Sequence, residues 1–289
     1  MQDKMDLKIL QDIPPWEWPR GIGNKFLTIL RDPNAKASDR LLAADFAGEL
    51  VAMSDPLAEA LLFLVGSATE PEELRAKAAI SLGPVLEQAD IDEFDDPESV
   101  PISEKTFRKI KQALRKVYLD AGLPKLVRRR ILEAAVRAQE EWQTNAIRTA
   151  YASDDQEWKL TAVFCMNYVR GFDQQILESL ESADPEIHYE AVRAAGTWEV
   201  DAAWPHVSAL AAAADTEKDL RLAAIEALST IRARESIAIL AELVANDDED
   251  IAEASAEALS MAEGFLEFDE GGDDEDDDED EDEGHETVH

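Results

Sequence analysis

The sequence predicts an all-α protein, a right-handed superhelical solenoid of about seven helical pairs, and three observations carry that expectation. One apolar pattern recurs seven times, beginning at Asp39, Leu74, Val127, Trp158, Ile187, Leu220 and Ile251. The steps between copies are 35, 53, 31, 29, 33 and 31 residues, so one unit is a helix pair and one step holds an insertion. A repeat in this range marks a solenoid or a related array. Within each copy apolar and small residues recur at helical spacing, and no stretch alternates with period two. In a solenoid each unit packs only on its neighbours, which leaves a long concave surface free for binding.

Residues 1–23 read as an N-terminal arm containing Pro14-Pro15-Trp16-Glu17-Trp18-Pro19. Its three prolines exclude a helix, and its two tryptophans need cover, so the arm is expected to fold over the first repeat as a cap. Helical pairs follow at about 24–53, 55–86, 104–138, 142–169, 173–198, 203–231 and 236–262. Asp55-Pro56 and Asp184-Pro185 each place an N-cap before a proline at the first helical position. Thr69-Glu70-Pro71-Glu72 has the form of a capping box. Leu220, Ala224, Ile225 and Leu228 mark one core stripe; Ile187, Ala191, Val192 and Ala195 fill the same places, as do Leu74, Ala78, Ala79 and Leu82. Small residues at the second place allow close helix approach, and the larger ones lock adjacent pairs together. The long step contains an acidic insertion at about 88–102, expected to be a loop between the second and third pairs. Residues 263–289 become an Asp/Glu run that cannot bury a core and repels itself, an expected disordered acidic tail.

The segments Leu74–Gly83 and Leu220–Leu228 resemble the second-helix signature of the HEAT-repeat family, including its phycobilisome-lyase-like branch. The resemblance covers about residues 24–262, and it implies a ladder between repeats. In the family an acid in the turn pairs with a basic residue early in the second helix. Here the basic place holds Arg40, Arg75, Arg128, Lys159, His188 and Arg221, with Glu70, Asp154, Asp184 and Asp215 as acids. Ala252 ends the series in the last unit, as a terminal cap does. The family's second helices line the concave face. That geometry implies a candidate partner-binding set of Arg129, Arg130, Arg137, Lys159, Phe164, Tyr168, Tyr189 and Arg193, with Glu133 among them. Mixed arginine and aromatic residues are the composition enriched at protein interfaces.

The formal net charge is −36, unevenly spread. Residues 267–289 hold 15 Asp/Glu and no Lys/Arg, whereas residues 103–137 hold 11 Lys/Arg against three acids, a local +8. The bulk charge disfavours nucleic-acid or anionic-membrane binding, since both would repel it. The basic island admits three readings: a solvated face offset by the acidic loop, a contact for a carboxylate- or phosphate-bearing partner, or a dock for the tail. The lone Cys165, on an apolar helix, suits a reducing compartment and reads as a buried, inert thiol. The first six residues lack the basic and apolar regions of a signal peptide, and Leu61–Val65 is far too short to span a bilayer. A cytoplasmic location is expected.

Chemistry is represented mainly by what is missing. His188, His206, His285 and His289 share no helix at metal-ligand spacing, and no phosphate-binding or nucleophile motif occurs. HEAT-repeat hydroxylases use paired His-Glu dipeptides, and the one present is His285-Glu286 in the tail. No cofactor, metal or catalytic residue is expected. The expected role is a non-enzymatic scaffold or adaptor that holds a protein or peptide, with the acidic tail screening or recruiting a basic partner. An accessory subunit of a lyase or other modifying enzyme, and a chaperone-like carrier of a basic protein, stand as alternatives.

Overall fold

The computed structural model describes residues 7–94 and 99–270, and the side chains through residue 266. The chain divides into two compact units, one ending at Gly171 and the other beginning at Phe172. Every regular element among the described residues is helical.

The first unit opens with two short 3-10 turns at Leu7–Asp12 and Pro15–Glu17. Four helix pairs follow: α1 (Ile22–Arg31) with α2 (Ala37–Phe46), α3 (Asp55–Gly66) with α4 (Glu72–Ile80), α6 (Glu104–Tyr118) with α7 (Lys125–Ala135), and α8 (Glu141–Tyr151) with α9 (Gln156–Met166). An unpaired helix, α5 (Gly83–Ile91), lies between the second and third pairs. The second unit holds three pairs: α10 (Asp173–Leu180) with α11 (Pro185–Thr197), α12 (Trp204–Ala212) with α13 (Lys218–Leu228), and α14 (Ala233–Leu243) with α15 (Glu249–Glu270).

The core stripe read from the repeat is the buried one, except that Leu220 is only half-buried. Ala78, Ala79, Leu82, Ala191, Val192, Ala195, Ala224, Ile225 and Leu228 are all inaccessible to solvent. Full burial of each large member contributes about 1.5–3 kcal/mol relative to exposure. Close approach is visible at Gly196 of α11, where an added Cβ would sit 2.8 Å from the Cα of Ala227 on α13.

The arm's outcome is divided. Leu7, Leu10 and Trp18 are buried, and the Trp18 indole donates to the Ile13 carbonyl at 2.9 Å while meeting Phe26 and Phe46 edge-on. Trp16 stays 78% exposed, contrary to the expectation that both tryptophans find cover. The prolines do not abolish helical geometry either: Pro15 begins a single 3-10 turn, where its missing N–H costs nothing.

Three boundaries also differ. The expected loop at 88–102 is helical as far as Ile91, because Pro84 stands in the first turn of α5 and Val85, Leu86 and Ala89 are buried. Residues 95–98 lie outside the described residues. The last helix continues through Glu270 rather than stopping at 262, so the segment assigned to the tail begins inside α15. Asp55 is not a cap: α3 starts at it, and its carboxylate accepts from the Ser103 backbone at 2.7 Å. Burial pushes this carboxyl up, but the bonds from Ser103 and Thr106 and the nearby Lys105 leave it below its ordinary value. The reading of Asp184 holds, its side chain accepting from the Glu186 and Ile187 backbones. Thr69 and Glu72 form no capping box, because α4 starts at Glu72 with Pro71 at its N-cap and no side-chain cap bond; Glu70 is held by Arg40 instead.

Candidate partner-binding surfaces

Second helices in both units carry a ladder that keeps the expected Arg40–Glu70 step and elsewhere departs from the expected one. Arg40 is buried and grips Glu70 through two bonds of 2.7 and 2.8 Å, while also donating to the Leu30 carbonyl. The Arg40 hydrogen bond holds the Glu70 carboxyl below the usual range. Arg75 and Arg221 instead donate to the carbonyls of Val65 and Ala211, near the C-terminal ends of the preceding helices. Those carbonyls have no partner within their own helix, so each guanidinium acts as a cap. Pairing to the next repeat's turn is made by Lys125 with Asp155 and by Lys218 with Asp248, each at 2.9 Å, rather than by Arg128 with Asp154 or Arg221 with an acid. Arg40–Glu70, Lys125–Asp155 and Lys218–Asp248 all span 30 residues, the length of one repeat.

Two residues expected on the concave face are internal. Arg129 is 5% exposed and Glu133 3% exposed. Arg129 donates to Thr161 at 2.8 Å and to Glu157 at 2.7 Å; the Thr161 hydroxyl donates a hydrogen bond to Glu133 at 2.6 Å, and Arg130 closes on Glu133 at 2.5 Å. These bonds stitch α7 to α9, so Arg129 is a packing residue and not a partner contact. Its neighbour Arg130 is the one whose side chain reaches solvent, at 41% exposure. Arg137 pairs with Glu87 and lies over the rings of Tyr168 and Phe164, at 5.0 and 5.9 Å from their centroids. Lys159 sits 5.1 Å above the Tyr151 ring. The structure thus brings Arg137, Phe164 and Tyr168 together and leaves Lys159 in a separate contact.

The second unit presents a different surface. Tyr189 of α11, Leu222 and Ala223 of α13, and Ala254, Ala258 and Met261 of α15 line a groove of 490 Å³. Its rim carries five carboxylates: Asp219, Glu226, Asp250, Glu253 and Glu257. Asp250 pairs with Lys218, whereas the other four have no ion pair among the described residues. Glu226, Glu253 and Glu257 are exposed, and Met261 is 50% exposed. Arg193 lines an adjoining recess with Gly196 and Thr197 and pairs with Glu190 at 3.5 Å. The sequence located Tyr189 and Arg193 at this face but not the acids, which only become a cluster when α13 and α15 stand side by side.

Elsewhere in the second unit His188 of α11 and His206 of α12 share a hydrogen bond of 2.8 Å between their Nε2 atoms, and Glu181 approaches Nδ1 of His206 at 3.6 Å. Burial, aided by the charge of His206 and opposed by that of Glu181, lowers the His188 pKa. His188 therefore replaces the ladder arginine with a neutral contact. Cys165 is fully buried. The His285-Glu286 dipeptide lies outside the described residues. Among the described residues no helix is long and apolar enough to cross a membrane.

Residues 174–260 match the family model of HEAT repeats. The fold is therefore of the HEAT-repeat type, an all-α repeat of the kind that commonly serves as a scaffold for protein interaction. Among solved structures the chain is similar to Escherichia coli YibA, at 13% identity over 92% of this chain and 93% of that one, with a TM-score of 0.49. It is also similar to human deoxyhypusine hydroxylase in complex with glycerol, at 18% identity over 89% and 88% with a TM-score of 0.39. A designed armadillo repeat protein gives 13% identity over 82% and 98%, with a TM-score of 0.33. No curated protein matches the chain.

Proposed function

We propose that the protein is a non-enzymatic interaction scaffold whose second-helix face in the second unit holds a basic segment of a partner protein. The observation that carries this reading is the groove between α11, α13 and α15: an apolar floor beneath four carboxylates that form no ion pair among the described residues. A cationic amphipathic helix would set its apolar side on Leu222, Ala254 and Met261 and its Lys/Arg residues against Glu226, Glu253 and Glu257. Carboxylates that are uncompensated before binding gain most from an arriving cation, chiefly in association rate and selectivity. The acid-rich residues 267–289 support the same preference, because they add long-range attraction for a basic partner.

The test is binding of a fluorescent Lys/Leu amphipathic peptide to the full chain, followed by anisotropy. Combined Glu226→Lys, Glu253→Lys and Glu257→Lys reversal should weaken binding about tenfold or more and reduce its salt dependence. Equal affinity for the variant and the parent would sink the reading.

A further inference from the structure

We infer that the outer face of α6 in the first unit is a second docking surface, of opposite charge, for an acidic helical segment of a partner protein. The protein would then act as an adaptor for two partners. The inference goes beyond the groove described above and does not depend on it.

Six of the fifteen residues of α6 are Lys or Arg and one is Glu, a net +5 on a single helix of a chain whose total is −36. Ile110 and Leu114 bury one side of the helix, while Lys105, Arg108, Lys109, Arg115 and Lys116 are exposed on the other. Their spacing of three, four and seven residues aligns them into one stripe. Part of this charge is already answered: Arg108 is paired with Glu104, and Lys109 with Glu59 at 2.6 Å. Lys105 faces Asp55 electrostatically, and Arg115 and Lys116 have no ion pair among the described residues. The stripe ends on Leu119, 67% exposed, which offers an apolar anchor beside the two uncompensated cations.

The stripe is about 22 Å long at 1.5 Å per residue, the length of four helical turns. An acidic helix with Asp or Glu at the same three-to-four-residue spacing, and one apolar residue near its end, matches it in length, charge and anchor. A nucleic acid matches less well. It would extend past the stripe toward Asp55 and Glu59 of α3, acids that already lie against Lys105 and Lys109 and that repel a phosphate backbone within the roughly 8 Å screening length.

The experiment uses the full chain and a fluorescent Glu/Leu amphipathic peptide, with the Lys/Leu peptide and a DNA duplex as parallel probes. Combined Lys105→Glu, Arg115→Glu and Lys116→Glu reversal should weaken the acidic probe about tenfold and leave the basic probe within about twofold. Circular dichroism melts identify any loss of fold, and the Arg115→Gln, Lys116→Gln variant should give a smaller loss in the same direction. Simultaneous binding of both peptides is expected. Acidic-probe affinity that ignores these substitutions overturns the inference. Tighter binding of the duplex than of the acidic peptide overturns it too, assigning the stripe to nucleic acid.

Discussion

In the first unit, charge is spent on holding helices together: Arg40 is closed on Glu70, Arg129 on Thr161 and Glu157, Arg137 on Glu87 and two rings. In the second unit, the equivalent helices leave Asp219, Glu226, Glu253 and Glu257 uncompensated around an apolar groove. The two are built from the same helix pair and the same core stripe. Both units keep the apolar stripe, and both use some polar positions for helix contacts, Lys218–Asp248 and Arg221–Ala211 among them in the second. They differ in how many acids around a second-helix groove are left without an ion pair among the described residues.

The comparison can be tested first where the units should agree. Leu82→Ala and Leu228→Ala remove fully buried side chains from equivalent places, one in each unit. Each should lower stability by about 2–5 kcal/mol in denaturant titration. A loss near zero for either would show that its stripe does not carry the packing.

The units should differ where charge is removed. Arg129→Met cuts bonds to Thr161 and Glu157 and leaves buried Glu133 without part of its support, so a loss of about 1.5–3 kcal/mol is expected. The paired substitution Glu226→Gln, Glu253→Gln in the groove should change stability by less than about 0.5 kcal/mol. Similar losses from the two would erase the distinction between structural and recruiting charge.

A finer effect concerns pH. The folded state holds the His188 pKa below its ordinary value, chiefly by burial. Below about pH 6.5 the unfolded chain therefore takes up a proton that folded His188 declines, and stability falls as pH falls through that window. The His206 ring, whose Nε2 lies 2.8 Å from that of His188, adds to the lowering of the His188 pKa. His188→Gln should flatten the melting temperature between about pH 7 and 5; an unchanged slope would assign it to the carboxylates. Gly196→Ala provides a separate check on packing within the second unit, with an expected loss of about 1–3 kcal/mol from the Ala227 contact.

What the sequence determined by itself was periodicity. Repeat spacing, helix pairing, the core stripe and the Asp184 cap depend on residues close in the chain, and their i, i+3, i+4 pattern is visible without coordinates. The HEAT resemblance rested on the same local pattern. Tertiary structure alone decided which polar group faces inward. Arg128, Arg129 and Arg130 are consecutive, so each points about 100° away from the last, and a one-residue error in register exchanges a surface cation for a buried one. Their partners lie elsewhere: Arg129 meets Glu157 and Thr161, 28 and 32 residues away. The acidic groove had the same origin, because Asp219 and Glu226 join Glu253 and Glu257 only when α13 and α15 pack together. Local spacing selects a helix face, but only the neighbouring helix determines whether that face meets protein, water or a partner.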